Sequence, residues 1–311
     1  MTTSLLIIAT GENAEDWRSE LVRALPGTPI YVDGEDFDKA AITHALVWKP
    51  PVGYLASLPN LRAIFSMAAG VDHIFADTEL PQGIPVVKLV HEATRQQHRD
   101  YVIHAIIHHH RDMMQFAVDQ GNGVWKFLRP AINADRRIGI LGLGPIGAFA
   151  AQAVAGLGFP VKAWRRSQTQ LDGIACYSGA EGLKEVASTS DILVSMLPRT
   201  PETVGILNAE LFAMMPKGAA IINVGRGNHL DEEALLAAID SGHLSGATLD
   251  VLQNEPPPAG HPFFAHPRVR LTPHIASEPN PRVTAWAVSE NLERMSRGLP
   301  PEPLAERDRG Y

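Results

Sequence analysis

The feature that most constrains this sequence is Gly142-x-Gly144-x-x-Gly147, which lies between the apolar run Arg137–Leu141 and the alanine-rich run Ala148–Leu157. An apolar strand that enters such a turn and leaves it as a helix is typical of a dinucleotide-binding unit. The first glycine allows the tight turn, the second lets a pyrophosphate approach the backbone, and the third allows close contact between helix and strand. A glycine turn without a ligand is the alternative, and the flanking strand and helix argue against it.

The predicted helix after these glycines begins at Pro145 and Ile146. A helix start attracts phosphate because its first N–H groups are free and its dipole is positive there. Pro145 has no N–H to donate, but proline suits a first helical turn. We therefore expect the three motif glycines, Pro145 and Ile146 to bind the cofactor phosphates.

The turn after the next apolar run, Val161–Trp164, indicates which dinucleotide is bound. An NAD-preferring site usually has Asp or Glu at the end of this strand, about 20 residues after the glycines, to bind the ribose hydroxyls. Here the strand is followed by Arg165, Arg166 and Ser167. Two guanidinium groups and a hydroxyl suit a 2′-phosphate, although a solvated basic turn is the alternative. We expect NADP (NADPH) to be preferred, with NAD possible.

Short apolar runs alternate with helical segments along the 311 residues, which is more chain than one hydrophobic core usually serves. Runs of this length, flanked by Gly, Pro and Asp, are typical of buried parallel strands. We therefore expect an α/β fold of two doubly wound parallel-sheet domains. The predicted strands are Leu5–Ala9, Ile30–Val32, Ala45–Trp48, Ala63–Met67, Val86–Val90, Arg137–Leu141, Val161–Trp164, Ile192–Leu197, Ala219–Val224, Ala247–Leu252 and Val269–Leu271, and the predicted helices include Ala14–Leu25, Lys39–His44, Glu92–Gln120, Ala148–Leu157, Glu232–Ile239 and a segment after Pro281.

The charge and cysteine content exclude several classes of partner. The net charge is −7, so no overall positive field attracts nucleic acid or an anionic membrane. The one cysteine, Cys176, allows no intramolecular disulfide framework and fits a reducing compartment. Its neighbourhood resembles a loop. The segment Met1–Ala9 lacks the basic start of a signal peptide, so we expect a cytoplasmic protein with no membrane or nucleic-acid partner.

Three later segments combine the side chains needed to reduce a 2-keto acid: Asn223–Gly227, Leu249–Val251 with Glu255-Pro256, and Thr272–Ile275. Each polar side chain follows a predicted parallel strand, and ligands of open α/β sheets bind at that edge. Arg226 offers a permanent planar cation for the carboxylate and carbonyl oxygens. His274 is a candidate proton donor, and a carboxylate such as Glu255 would orient the ring and favour the imidazolium. No metal is needed.

These segments, in this order after the glycine motif, resemble the D-isomer-specific 2-hydroxyacid dehydrogenase family over essentially the whole chain. The match places the family's arginine, glutamate and histidine at Arg226, Glu255 and His274. The resemblance implies a flavodoxin-like substrate domain from residues 1–100 and 282–311, and a Rossmann domain that binds NAD(P) from residues 101–281.

Four further segments resemble the bacterial glyoxylate/hydroxypyruvate reductase A group: Ala45–Trp48, Ser66–Asp72, Trp164–Ser167 and Arg309–Tyr311. This resemblance implies NADPH-dependent reduction of glyoxylate and hydroxypyruvate by a homodimer built on the cofactor domain. It also implies that the amides of Ala69 and Gly70, with Arg226, bind the substrate carboxylate and that Trp48 lines the pocket. A core or interface role for this tryptophan is the alternative.

The strand ends of the second domain complete the predicted cofactor site. Residues that follow neighbouring parallel strands meet at one edge of the sheet. The expected cofactor-binding residues there are Leu197, Pro198, Val224, Gly225, Asp250 and His274.

Several other residues carry no assigned chemistry. His104 and His108 lie four apart on one predicted helix, but no further ligand at metal spacing is near in sequence, so a surface or dimer-contact role is preferred. His229 is expected at the surface or in a loop. Trp125 and the run His108–His110 are open candidates for a dimer interface.

Two other functions stay open at this point. One is an NAD-dependent D-2-hydroxyacid dehydrogenase that acts on a bulkier acid. The other is a nucleotide-sensing binding protein similar to a corepressor, which the complete set of Arg226, Glu255 and His274 disfavours.

Overall fold

The computed structural model describes residues 3–11 and 13–310. Their contacts divide into two compact units, Met1–Thr94 with Glu278–Tyr311, and Arg95–Ser277. The boundaries drawn from the sequence, 100/101 and 281/282, lie a few residues further along the chain. The chain first passes from one unit to the other near the start of the helix Glu92–His110. The helical sequence pattern continues without a break at this point, so the sequence alone does not indicate the domain boundary. Tyr311 lies outside the described residues.

The first unit contains a five-stranded parallel sheet whose strand order is β2-β1-β3-β4-β5. This is the flavodoxin-like order, and it confirms the predicted doubly wound fold. Both faces of the central strands are buried, which explains their continuous apolar sequence. The strands are β1 (Leu5–Ala9), β2 (Ile30–Val32), β3 (His44–Trp48), β4 (Ala63–Ser66) and β5 (Val86–Val87).

The second unit contains a seven-stranded parallel sheet in the order β12-β11-β10-β9-β6-β7-β8. This is the Rossmann order with one added edge strand, and the order reverses between β6 and β9, where such sheets bind ligands. The strands are β6 (Ile138–Leu141), β7 (Val161–Trp164), β8 (Ala175–Tyr177), β9 (Ile192–Ser195), β10 (Ala219–Asn223), β11 (Leu244–Leu249) and β12 (Val269–Leu271).

Local sequence signals mark both ends of the helix between Asp231 and Gly242. Asp231 caps the helix that follows it by accepting a hydrogen bond from the Ala234 N–H at 3.0 Å, and Gly242, with φ of 71°, follows the end of that helix. No helix within residues 3–11 and 13–310 is long and apolar enough to cross a membrane. The helices are α1 (Ala14–Ala24), α2 (Asp72–Phe75), α3 (Glu92–His110), α4 (Met113–Gly121), α5 (Pro145–Gly156), α6 (Gly179–Ser188), α7 (Ala209–Met214), α8 (Glu232–Asp240), α9 (Pro262–Ala265) and α10 (Pro281–Ser296).

Two of the helix predictions are wrong in extent. The predicted helix Glu92–Gln120 is broken at Asp112, whose φ of 54° separates α3 from α4. Aspartate is one of the few residues that adopt this left-handed conformation at small cost, so apolar periodicity alone does not reveal the break. The predicted helix Lys39–His44 is a single 3-10 turn, Lys39–Ala41, and His44 begins β3.

The strand β8 is not among the predicted strands. It has three residues, and its first residue is exposed, so it lacks a buried apolar pattern. Cys176, which the sequence analysis placed in a loop, lies at its centre and pairs with Ala163 of β7.

The glycine turn after β6 is closed by contacts that only glycine permits. Gly142 has φ of 106° and its N–H donates to the Trp164 carbonyl at 2.8 Å. A Cβ atom on Gly147 would lie 2.0 Å from the Gly142 carbonyl oxygen, so a side chain there would clash with backbone. By contrast, a Cβ atom on Gly144 would meet nothing within 4 Å. The first and third glycines are therefore needed by the fold itself.

We expect Gly147→Ala to lower the melting temperature of the nucleotide-free protein by roughly 5 °C or more, because the added methyl group forces the start of α5 away from the turn. Gly144→Ala is the matched control. Its φ of −69° suits any residue and its surroundings are open, so its melting temperature should stay close to that of the wild type. Equal melting temperatures for the two variants would contradict this account of the turn.

Candidate active site

The start of α5 offers a surface that fits a pyrophosphate. Gly144 precedes the helix, Pro145 is its first residue, and the first helical hydrogen bond runs from the Ala148 N–H to the Gly144 carbonyl at 2.9 Å. The N–H groups of Ile146 and Gly147 come before that bond, and such groups have no acceptor within a helix. Together with the open space beside Gly144, they leave room and donors for an anionic group.

The turn after β7 carries cations and no carboxylate, as the sequence analysis expected. The Arg165 N–H donates to the Tyr177 carbonyl of β8 at 3.1 Å, which fixes the turn against the edge strand. Arg165 is half-buried, and both Arg166 and Ser167 are exposed. The Arg166 guanidinium lies 3.8 Å from the Glu202 carboxylate. The predicted cations are thus accessible to a ligand. The Arg166 guanidinium also lies within ion-pair distance of the Glu202 carboxylate.

The loops after β9 and β10 lie against each other at the same sheet edge. Leu197 and Val224 are buried, and a Cβ atom on Gly225 would lie 2.8 Å from the Leu197 carbonyl oxygen. The Pro198 carbonyl accepts a hydrogen bond from the Thr203 hydroxyl at 2.8 Å, which holds this loop in place. The structure therefore brings the predicted residues 197, 198, 224 and 225 together at the ends of the neighbouring strands β9 and β10.

Arg226 projects from a loop that is fixed by neighbouring polar groups. The Asn223 side-chain amide donates to the Arg226 carbonyl at 3.0 Å, and the Arg226 guanidinium donates to the Gly225 carbonyl at 2.9 Å. The Arg226 N–H donates to His229 Nδ1 at 3.3 Å. His229, which is expected at the surface or in a loop, lies in this loop and is fully buried. An isolated histidine gives no sequence signal for such a role, which only the folded loop reveals.

His274 and Glu255 form a hydrogen-bonded pair, with 2.8 Å between Nδ1 and Oε2. The second carboxylate oxygen of Glu255 accepts from the Leu252 N–H at 3.0 Å. Burial raises the pKa of Glu255, but the hydrogen bonds from His274 and Leu252 and the nearby Arg226 charge outweigh it, so the net shift is downward. An ionised carboxylate can only accept, so Nδ1 of the imidazole carries a proton and Nε2 is left for other chemistry.

The backbone of His274 adopts an unusual conformation, with φ of 57°. A non-glycine residue held in this region costs on the order of 1 kcal/mol, which the surroundings must offset. The His274 N–H donates to the Asp250 carbonyl at 2.9 Å, and the loop beyond it is anchored on the Asp250 side chain.

Asp250 is buried, and both of its carboxylate oxygens accept hydrogen bonds from the loop that carries His274. Oδ1 accepts from the Thr272 hydroxyl at 2.6 Å and from the Ile275 N–H at 2.8 Å, and Oδ2 accepts from the Ala276 N–H at 2.7 Å. Asp250 is also one of the residues predicted to bind the cofactor. Within the described residues, its carboxylate holds the 272–276 loop.

In the first unit, the residues predicted to bind substrate follow β3 and β4. The Ser66 hydroxyl donates to the Gly70 carbonyl at 3.1 Å and accepts from the Ala68 N–H at 3.2 Å, so this one side chain shapes the loop that contains Ala69. Trp48 ends β3, and its ring lies 4.6 Å from the His73 ring, centroid to centroid.

The residues considered for a metal site or a dimer interface lie on α3 and in the segment after α4. The rings of His104 and His108 are 6.0 Å apart on α3, and no group of three potential ligands in the described chain is arranged to hold a metal. His110 is buried and His109 is partly buried, and burial lowers the pKa of His109 to about 3. Trp125, in contrast, is fully exposed.

Comparisons with known proteins show the family of this chain. The family model "D-isomer specific 2-hydroxyacid dehydrogenase, NAD binding domain" matches residues 103–276. The glyoxylate/hydroxypyruvate reductase A of Yersinia enterocolitica is 38% identical over 303 residues, 96% of each chain. That of Serratia proteamaculans is 37% identical over 304 residues, which cover 96% of this chain and 97% of the relative.

Two solved structures are similar over the full length of both chains. A D-isomer-specific 2-hydroxyacid dehydrogenase from Xanthobacter autotrophicus Py2, in complex with NADPH and MES, is 40% identical with a TM-score of 0.96. An NADPH-dependent glyoxylate/hydroxypyruvate reductase from Sinorhizobium meliloti, in complex with NADP and sulfate, is 31% identical with a TM-score of 0.94. The chain therefore belongs to the D-isomer-specific 2-hydroxyacid dehydrogenase family of NAD(P)-dependent oxidoreductases.

Proposed function

We propose that this protein is an NADPH-dependent reductase that converts glyoxylate to glycolate and hydroxypyruvate to D-glycerate. The main observation in favour of the proposal is the 2.8 Å hydrogen bond between His274 Nδ1 and Glu255 Oε2. This bond orients a candidate proton donor at the edge of the seven-stranded sheet. Its support is the similarity to relatives that are named glyoxylate/hydroxypyruvate reductase A and to structures that hold NADPH or NADP.

In this proposal, one domain binds the cofactor and the other binds the substrate. Residues 101–281 form the cofactor domain, in which Gly142, Gly144, Ile146 and Gly147 hold the pyrophosphate and the 197–198 and 224–225 loops, with Asp250, line the remainder of the cofactor site. Residues 1–100 and 282–311 form the substrate domain.

The chemistry follows from three groups. When bound, NADPH supplies the hydride to the carbonyl carbon. Arg226 binds the carboxylate and polarises the carbonyl oxygen with a charge that is present before the reaction begins. As negative charge grows on that oxygen, the proton on His274 Nε2 moves to it and gives the hydroxyl group. Glu255 stays ionised and holds the ring through Nδ1, and solvent returns the proton to Nε2 after product leaves.

The substrate domain would supply two contacts. The amides of Ala69 and Gly70, in the loop shaped by Ser66, would donate to the substrate carboxylate. The Trp48 ring would limit the size of the substituent next to the carbonyl, which favours glyoxylate and hydroxypyruvate over bulkier acids.

The experiment that tests the function is a nicotinamide absorbance assay over a panel of 2-keto acids, with NADPH and with NADH. We expect the highest kcat/KM with NADPH and glyoxylate or hydroxypyruvate. Higher kcat/KM with NADH and a bulky acid such as phenylpyruvate would instead favour a general D-2-hydroxyacid dehydrogenase. Tight NADPH binding without turnover of any acid would favour a nucleotide-sensing protein.

Two variants test the assigned roles. We expect His274→Ala to lower kcat by roughly 10²–10⁴-fold, because it removes the proton donor. Arg226→Ala should raise KM for the keto acid and lower kcat, since the cation acts on both the bound substrate and the developing charge. His266→Ala is the control, because this histidine also pairs with a carboxylate, Asp240 at 3.1 Å, away from the site. Near-normal turnover in either site variant would refute its role.

The proposed NADPH preference rests on the Arg165–Ser167 turn. Removing both guanidiniums in Arg165→Ala/Arg166→Ala should raise KM for NADPH roughly 10- to 100-fold and change KM for NADH little, because only NADPH carries the 2′-phosphate. Lys184→Ala, which removes an exposed cation on α6, should change neither value. Equal losses with both cofactors would mean that the turn does not select the 2′-phosphate.

We also propose that the protein is a homodimer formed through the segment 124–132. Four apolar side chains in it are exposed, at 48% for Val124, 101% for Trp125, 77% for Phe127 and 63% for Ile132. Such a concentration of exposed apolar side chains is typical of a protein interface.

The dimer is tested by light scattering after size-exclusion chromatography. The wild type should have twice the mass of one chain, and Trp125→Ser/Phe127→Ser should shift the mass toward that of a monomer. Phe264→Ser, which alters a separate aromatic side chain that is 62% exposed, should leave the mass unchanged. A monomeric wild type would refute the proposal.

A further inference from the structure

A chain of three hydrogen-bonding groups runs from α3 to the loop that carries His274. The Tyr101 hydroxyl lies 2.5 Å from the Thr272 hydroxyl, and the Thr272 hydroxyl donates to Asp250 Oδ1 at 2.6 Å. The two partners of the tyrosine contact are 171 positions apart in the sequence, so no local pattern reveals it.

The direction of these hydrogen bonds follows from the chemistry of the groups. Burial is the main reason that the pKa of Tyr101 is raised to about 12, so the phenol keeps its proton. The Thr272 proton is committed to the carboxylate of Asp250, and the Thr272 oxygen is therefore free to accept from Tyr101. Hydrogen bonds arranged in series polarise and strengthen one another.

The carboxylate at the end of this chain controls the backbone around His274. Asp250 accepts from the N–H groups of Ile275 and Ala276 at 2.8 and 2.7 Å, directly after a residue held at φ of 57°. Rotation of the Asp250 side chain would release both amides and relax His274 from that conformation. The side chain therefore needs a fixed orientation, which the Thr272 hydroxyl provides on one side.

We propose that Tyr101 is a positioning residue for the proton donor: through Thr272 it fixes the Asp250 carboxylate, and the carboxylate fixes the backbone of His274. The proposal rests on the proposed function, in which His274 protonates the substrate oxygen. Tyr101 itself touches no reacting atom. Its removal should thus slow proton delivery more than it weakens cofactor binding, to which the glycine turn and the Arg165–Ser167 turn contribute most.

The test compares Tyr101→Phe, Thr272→Val and Thr272→Ser in steady-state assays with glyoxylate and NADPH. We expect Tyr101→Phe to lower kcat roughly five- to tenfold, with KM for NADPH within twofold of wild type. Thr272→Val should lower kcat at least as much, and Thr272→Ser, which keeps the hydroxyl, should restore it. Because the groups act in series, Tyr101→Phe/Thr272→Val should be no slower than Thr272→Val. The solvent deuterium isotope effect on kcat should rise in Tyr101→Phe.

A measurement without turnover separates this inference from the proposed function. In the nucleotide-free protein, amide hydrogen exchange at Ile275 and Ala276 should be several-fold faster in Tyr101→Phe than in wild type, and exchange in β7 should not change. Tyr54→Phe is the matched control, because it removes a phenol that donates to the Asp33 carboxylate at 2.6 Å in the first unit.

Unchanged exchange at Ile275 and Ala276, or a Tyr101→Phe variant with wild-type kcat, would overturn the positioning role. Equal kcat losses in Thr272→Ser and Thr272→Val would also overturn it, because the hydroxyl would then be irrelevant. A wild type without activity on any 2-keto acid would refute the proposed function, and the exchange experiment would still decide whether Tyr101 orders the loop.

Discussion

The contact between Gly147 and the Gly142 carbonyl is the constraint on which the cofactor half of the molecule depends. Since a Cβ atom at position 147 would lie 2.0 Å from that oxygen, helix α5 can start only where this residue lacks a side chain. The contact sets the distance between α5 and the end of β6, and so aims the first turn of the helix at the point where the strand order reverses. The other loops at this edge are arranged around that point.

These loops are held by close backbone contacts as well as by polar groups. A Cβ atom on Gly227 would lie 1.8 Å from the Leu252 carbonyl oxygen, so the loop that carries Arg226 passes directly beside the one that leads to Glu255. Asp250, in the same strand-end loop, holds the backbone of His274. The loops that carry Arg226, Glu255 and His274 are thus held at one edge of the sheet. The proposed catalysis needs such fixed positions, because charges stabilise a transition state best when they are already in place.

The features that sequence could predict are those with strong local signals. The glycine turn, the proline at the start of α5 and the buried parallel strands each depend on a few neighbouring residues. The proximity of His274 and Glu255 could also be expected, because both follow strands that end at the same edge. Features decided by tertiary contacts could not be predicted: the left-handed Asp112, the short edge strand β8, the buried His229 and the contact of Tyr101 with Thr272.

The first unit is formed by two separate stretches of the chain, and this affects the order in which the two units fold during synthesis. Its core joins Trp17 and Leu21 of α1 to Ala285, Val288 and Leu292 of α10, which are made after the whole of the second unit. The second unit, in contrast, is one continuous stretch from Arg95 to Ser277. It is complete before α10 leaves the ribosome, and because domains fold as units as they emerge, it can fold first. Until then, Trp17 and Leu21 lack the apolar partners that α10 supplies, so the core of the first unit is completed last.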